Sequence, residues 1–172
     1  DPPRFLRAVA IESRPPEGTP CAAVHLDVAK PRTTERAILP QGRVAAIRSS
    51  SLCDFRYRIT NASGRKSYVW VIATRASDTG TGFRVRRFYD AKPITAKGSL
   101  SLDARPPRSL SSALRQEFVL LGISESNPPL MEFNKLAIRA SAATSAADLT
   151  PVLEKARKQG ASVLRLSQDF TP

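Results

Sequence analysis

The stretch DFRYRITNASGRKSYVWVIAT, residues 54–74, decides the fold class that the sequence predicts. Apolar and polar side chains alternate in its first part, which is typical of a β-strand with one buried face. Its last part is apolar at every position from Tyr68 to Ala73, as expected of a strand covered on both faces. The stretch therefore predicts two strands, the second of them near the centre of a sheet.

Between these two strands lie Asn61, Ala62, Ser63 and Gly64. Asparagine and serine side chains bond to nearby backbone, and glycine accepts a positive φ, so this composition favours a short connection between antiparallel strands. We therefore expect a β-hairpin. Asn61 also begins an Asn-Ala-Ser glycosylation pattern, although a turn explains the same residues without a sugar.

The composition predicts one mainly β domain. The chain has 172 residues, 41% of them hydrophobic and 24% charged, and its fourteen prolines favour short elements with defined breaks. We expect an antiparallel β-sandwich of about eight strands. A change of apolar phase near Arg86 and Arg87 predicts a β-bulge. Besides the opening stretch, strands are predicted at residues 5–11, 22–28, 43–48, 83–89, 94–102 and 117–124.

The C-terminal third has helical patterns. One apolar stripe at helical spacing, formed by Leu130, Phe133, Leu136 and Ala137, predicts a helix at residues 129–140 that covers a sheet face or end. The β-sandwich core with this helix is assigned to residues 1–140. Residues 141–172 are assigned to an Ala/Ser linker, a short helix and a terminal strand that pack on the same domain.

The second helix is predicted from its end signals. Thr150 is the expected cap, Pro151 the first helical position and Gly160 the residue that ends the helix. Val163, Leu164 and Leu166 then return as the last strand.

The chain is strongly basic, with 27 Lys and Arg against 15 Asp and Glu, a net charge of +12. Such a charge attracts polyanions without specificity. Arginine suits bidentate binding of phosphates and carboxylates, and six cations would form one patch if the polar faces of two strands coincide. Alternatively, these residues are the solvated side of a half-buried sheet. The candidate binding residues are Arg56, Arg58, Arg65, Lys66, Arg84 and Arg86.

Cysteine and histidine are too few for most catalytic or metal chemistry. Cys21, Cys53 and His25 cannot supply a four-ligand thiolate zinc site, and no metal or cofactor is predicted. A disulfide between Cys21 and Cys53 is left open because the compartment decides it. A Cys-His nucleophile pair would depend on His25 alone, and an exposed histidine beside a structural or free cysteine is the simpler interpretation. No catalytic residue is predicted.

No apolar run approaches the roughly 20 residues that span a bilayer, so no membrane span is predicted. The chain begins at Asp1 without a signal-peptide pattern, and we interpret it as a mature or excised fragment. Its localisation is left open between a soluble periplasmic or secreted protein and a cytoplasmic one.

Residues 57–61, 68–72 and 117–124 carry a family resemblance. YRITN, the tyrosine-containing strand YVWVI and EFVLLGIS resemble segments of a non-catalytic β-sandwich domain appended to bacterial caspase-like (metacaspase-type) peptidases. The resemblance spans residues 44–140. The catalytic His and Cys of such peptidases match no position here, which implies that any peptidase activity lies outside this chain.

Three functions follow as hypotheses. The first is a non-catalytic binding or regulatory module of a larger bacterial protein, accessory to a caspase-like peptidase, that contacts a protein, a peptide or an adjacent domain of the same polypeptide. The second is a basic module that binds nucleic acid or anionic surfaces through its arginines. It is less favoured because single-strand binding needs exposed rings, whereas the following rings are predicted to lie in the core: Phe55, Tyr57, Tyr68 and Trp70. An autonomous hydrolase ranks last.

Overall fold

The computed structural model describes residues 4–14, 24–26, 36–37, 44–48, 54–77, 79, 81–104, 111–124 and 129–171. These residues form two β-sheets and two helices. The strands are β1 (Leu6–Arg14), β2 (Val24–Leu26), β3 (Arg36–Ala37), β4 (Val44–Arg48), β5 (Asp54–Asn61), β6 (Ser67–Ser77), β7 (Arg84–Ile94), β8 (Ser99–Ala104), β9 (Leu114–Ile123) and β10 (Ser162–Thr171). The helices are α1 (Leu130–Ser141) and α2 (Ala146–Lys158).

The strands divide into a small sheet, in the order β3-β1-β5-β8, and a large sheet, in the order β2-β4-β10-β9-β6-β7. Among the described strands every pairing is antiparallel except that between β4 and β10. The prediction of a mainly β, largely antiparallel fold is confirmed. The expected number of about eight strands differs from what the described residues contain: seven strands of six or more residues, with the shorter β2, β3 and β4 beside them.

The predicted hairpin at residues 54–74 is wrong. Strand β5 pairs with β1 and β8, whereas β6 pairs with β7 and β9, so the chain crosses from the small sheet to the large one. The burial patterns explain this difference. One face of β5 is buried, whereas β6 is buried on both faces because the small sheet covers one side and the helices the other.

Asn61 holds the crossing in place. Its side chain is fully buried, and its Nδ2 donates to the carbonyl oxygens of Arg65 (2.7 Å), Ile94 (3.2 Å) and Thr95 (3.2 Å). Its Oδ1 accepts from the backbone nitrogen of Ser63 at 3.0 Å. An amide engaged in this way is a structural support of the loop, which agrees with interpreting the Asn-Ala-Ser pattern as a turn.

The core has two layers that share the large sheet. Val69, Val71 and Ala73 of β6 pack with the small sheet, while Trp70 and Ile72 pack with the helices. The expectation that this strand is covered on both faces is confirmed. One ring contact lies in each layer. Between the two sheets, the ring centroids of Tyr57 and Phe118 are 6.2 Å apart. Between the large sheet and α1, the ring centroids of Trp70 and Phe133 are 6.4 Å apart.

Helix α1 forms where the sequence predicts it and buries Phe133, Leu136, Ala137 and Ala140. Helix α2 begins at Ala146, earlier than predicted, because Ser145 caps it: its side chain accepts from the backbone nitrogen of Asp148, whose carboxylate accepts from the Ser145 nitrogen. Thr150 and Pro151 therefore lie inside the helix. Gly160 follows the helix with φ of 96°, which confirms its predicted place at the end.

Candidate functional site: a basic cleft between two sheet edges

The candidate site lies where one edge of each sheet comes together. Strand β7 ends the large sheet and β8 ends the small sheet, and the two strands follow each other in the chain. They are tied together at the turn between them, where Asn61 exchanges backbone hydrogen bonds with Gly98 (3.0 Å) and Lys97 (3.1 Å). Beyond this turn the sheet edges enclose a cavity of about 390 Å³.

We call this cavity the basic cleft. Its volume is within the usual range for ligand sites, roughly 300 to 1,000 Å³. Its apolar lining consists of Val71, Ala73, Leu100, Leu102 and Phe118. Its polar and charged lining consists of Thr74, Arg75, Arg86, Arg87, Tyr89, Lys92, Ser101, Asp103 and Gln116. Among these described residues the cations exceed the carboxylates by three.

Arg75 is the most unusual of these cations. It is half-buried near the end of β6, and its Nη2 donates to Oε1 of Gln116 at 3.2 Å. Its Nε has no hydrogen-bond partner among the described residues. Burial, followed by the positive charges of Arg86 and Arg84, lowers the pKa of Arg75 to about 10. The guanidinium is therefore still charged at neutral pH, and a bound anion would relieve the repulsion among these arginines.

A β-bulge places two successive arginines of β7 in the same cleft. Val85 pairs with Thr74 and Arg87 pairs with Ala73, so Arg86 is the extra residue on β7. Successive side chains of a regular strand point to opposite faces, but a bulge alters this alternation. Both arginines line the cavity. The bulge predicted from the change of apolar phase is confirmed.

Tyr89 contacts two of the cations that line the cleft. Its hydroxyl oxygen accepts from Nη1 of Arg87 at 3.2 Å, and Nζ of Lys92 lies 5.3 Å from the centre of its ring. The hydrogen bond to Tyr89 raises the pKa of Arg87. The β7 side of the cleft is therefore a positioned group of charges and not only a set of independent surface side chains.

Asp103 is the one carboxylate in the described lining. Its Oδ1 accepts from Nε of Arg56 at 2.7 Å across the β5–β8 pair. Because Arg56 compensates this negative charge, Asp103 reduces the positive potential of the cleft less than an unpaired carboxylate would.

The six predicted binding residues lie on different elements, and their role in binding stays a prediction. Arg56 and Arg58 lie on the face of the small sheet opposite the buried Tyr57 and Ile59, whereas β7 is the edge of the large sheet. The other four predicted residues lie in different places. Arg86 lines the cleft, and Arg84 contributes to the lowered pKa of Arg75. Arg65 and Lys66 are exposed in the connection after β5.

Sequence reasoning missed Arg75, Arg87 and Lys92 as site residues. Arg75 follows the apolar run within β6, and nothing in the sequence indicates that it lies beside the arginines of β7. The bulge was the available signal, because it implied that Arg86 and Arg87 do not alternate. Cys21 and Cys53 lie outside the described residues, as does the side chain of His25, so the disulfide stays a prediction.

The arrangement suits binding of an anion. Neither histidine nor cysteine is among the described residues that line the cleft. Within the described part of the chain no group of three or more His, Cys, Asp or Glu could hold a metal ion. No helix in that part is long and apolar enough to cross a membrane.

Comparison of the chain with protein-family models, with curated proteins and with solved structures finds no match.

Proposed function

We propose that this chain is a non-catalytic β-sandwich binding module of a larger bacterial protein, accessory to a caspase-like peptidase. Its partner is an acidic segment of a protein or of an adjacent domain. The observation that carries the proposal is the convergence of Arg75, Arg86, Arg87 and Lys92 on one cavity between two sheet edges. Hydrogen bonds between a guanidinium and a carboxylate are about twice as strong as those between neutral groups.

A purely structural role explains part of this arrangement. Charged residues on an edge strand discourage unspecific pairing with copies of the chain, which accounts for exposed Arg84 and Lys92. It does not account for Arg75, because burying a guanidinium with an unpaired donor costs stability. A stability cost next to a cavity is typical of a binding site.

The edge position of β7 suggests how a peptide would bind. Among the described strands β7 has one neighbour, β6, so its other side presents backbone groups for pairing. An extended segment can add to such an edge as a further strand, with backbone hydrogen bonds giving affinity and side-chain contacts giving specificity. Acidic side chains of that segment would reach the basic cleft.

Binding of nucleic acid or anionic surfaces is the second candidate, favoured by the net charge of +12. It is weaker because Tyr57 and Trp70 are at most 1% exposed and cannot stack on bases. Salt separates the two candidates. On duplex DNA the logarithm of the binding constant falls with a slope of about −0.9 per phosphate contacted.

The experiment measures fluorescence anisotropy of a fluorescein-labelled hexaglutamate peptide at about 150 mM salt, with hexalysine and a single-stranded DNA 12-mer as comparison ligands. Arg86→Met with Arg87→Met should weaken hexaglutamate binding at least about tenfold. The matched control, Arg139→Met with Lys155→Met, removes the same charge from the helices and should change little. Equal weakening in both variants, or preferred binding of DNA, overturns the proposal.

The accessory role has a separate test in the coding sequence upstream of Asp1. A caspase-like peptidase domain immediately before the module supports it. A start codon or signal peptide directly at that point contradicts it.

A further inference from the structure

We propose that the basic cleft is a receptor for a phosphoryl group carried by a peptide segment, with Arg75 as the anchoring residue. This inference rests on the proposed function and names the chemistry of the partner. Its basis is the placement of the half-buried Arg75 guanidinium among three further cations that line the same cavity.

The charge of the cleft favours a dianion. Cations exceed carboxylates by three among the described lining residues, and Asp103 is already compensated by Arg56. A phosphoserine carries about −1.5 to −2 charges at neutral pH, whereas a glutamate carries one. A phosphoryl group therefore neutralises more of the repulsion among Arg75, Arg84 and Arg86 than a carboxylate does.

The donors of the cleft also match a phosphoryl group. The Nη2 of Arg75 donates one hydrogen to Gln116, and its Nε is buried without a partner among the described residues, which leaves Nη1 and the second hydrogen of Nη2 for a ligand. A guanidinium binds an oxyanion through two parallel N–H groups, and a phosphoryl group offers three acceptor oxygens. After Arg75 takes one edge of the group, oxygen atoms are left for the arginines of the bulge, Arg86 and Arg87.

The apolar part of the cleft lining favours a ligand that carries carbon atoms beside its phosphoryl group. A cavity of about 390 Å³ is much larger than a phosphate ion, which needs no apolar contact. Leu100, which is partly exposed, offers such contact to the carbon atoms of the residue that carries the phosphate. This favours a phosphorylated side chain over inorganic phosphate.

The test compares three labelled peptides of identical sequence, Gly-Gly-X-Gly-Gly with X as phosphoserine, glutamate or serine, by fluorescence anisotropy. The phosphoserine peptide should bind at least about tenfold more tightly than the glutamate peptide. Arg75→Met should abolish this preference, and so should Arg75→Lys, which keeps the charge but loses the fork. The control Arg139→Met should keep it.

Competition with free phosphoserine and with inorganic phosphate distinguishes the sources of the phosphoryl group. The peptide should compete better than either small molecule. Equal competition by inorganic phosphate contradicts a peptide ligand. Urea unfolding, followed by the fluorescence of the sole tryptophan, Trp70, verifies that each variant folds.

The failures of the two proposals differ. If the glutamate and phosphoserine peptides bind equally and variants of the cleft weaken both, the phosphoryl receptor is wrong while the acidic-segment module stands. If neither these peptides nor hexaglutamate binds, both proposals are wrong.

Discussion

Arg75 on β6 donates a hydrogen bond from Nη2 to Oε1 of its cross-strand neighbour Gln116 on β9, over 3.2 Å. The acceptor is nearly buried, so the contact fixes one side of a half-buried guanidinium. Arg75 also lines the basic cleft with the cations of β7, which is an edge strand among the described strands of the large sheet. One side chain therefore links the packing of the large sheet to the basic cleft.

The pH dependence of folding stability should reveal the lowered pKa of Arg75. Its pKa of about 10 in the folded protein is below the usual 12.5. The unfolded chain therefore binds more protons between these values, and folding stability rises with pH there. Relative to Arg75→Met, the wild type should gain stability from about pH 9 to pH 11. The difference in free energy of unfolding, measured by urea at both pH values, should shift in this direction; a constant difference contradicts the expectation.

Replacing Asn61 by alanine should destabilise the protein by about 2–3 kcal/mol, because buried acceptors lose their donor. The affected carbonyl groups belong to Arg65, Ile94 and Thr95. The control is Ser63→Ala, which removes a hydroxyl of the same turn but leaves the Asn61 amide in place, and it should cost less than half as much. Urea unfolding measures both. Equal costs would mean that the Asn61 side chain is not the support of the crossing.

Gly122 should not tolerate a methyl group. A Cβ at this position would lie 2.6 Å from Cδ1 and 2.9 Å from Cγ of Leu6, which is fully buried. We expect Gly122→Ala to cost about 1–3 kcal/mol, the usual penalty of overpacking. Leu6→Ala removes the clash, so the double variant should be destabilised by less than the sum of the single variants. Additive costs in thermal or urea unfolding would contradict the close approach of β1 to β9.

The capping box of α2 should be sensitive to acid. Hydrogen bonds from Thr144 and Ser145 lower the pKa of Asp148 below its usual 3.8, so the ionised carboxylate stabilises the folded state. This contribution is fully present above pH 3.8 and is lost as the pH falls through the folded-state pKa. Asp148→Asn should therefore lower Tm at pH 7, and the difference should shrink as the pH falls below 3.8 and through the folded-state pKa, measured by circular dichroism. A difference that does not change with pH would argue against the carboxylate as the stabilising group.

The sequence predicted which faces are buried better than it predicted which strands pair. Alternation in β5 predicted one buried face, and the continuous apolar run of β6 predicted two. Both predictions agree with the residues that form the core. The same alternation is compatible with a hairpin or a crossing, because it does not depend on the partner strand. The crossing depends on Asn61 meeting the carbonyl of Ile94, 33 residues away in the chain.

The missed start of α2 had a different cause. Ser145 and Asp148 stand at the spacing of a capping box in the sequence, yet Thr150 and Pro151 offered a competing signal of a helix start. The basic cleft was harder to predict from the sequence. Arg75 and Lys92 meet only through the pairing of β6 with β7, which no local pattern specifies.

The central claim is that the basic cleft is the binding site, and an NMR titration tests it most directly. In the ¹⁵N-labelled protein, hexaglutamate should shift the backbone signals of Arg75, Arg86, Arg87 and Lys92 most strongly. At the same peptide concentration, Arg86→Met with Arg87→Met should reduce the shifts of Arg75 and Lys92. A second groove, between the helices, also carries cations and is the internal comparison, lined by Glu132, Lys135, Leu136, Arg139, Lys155 and Gln159. Shifts that concentrate in that groove, or no shifts at all, would contradict the account.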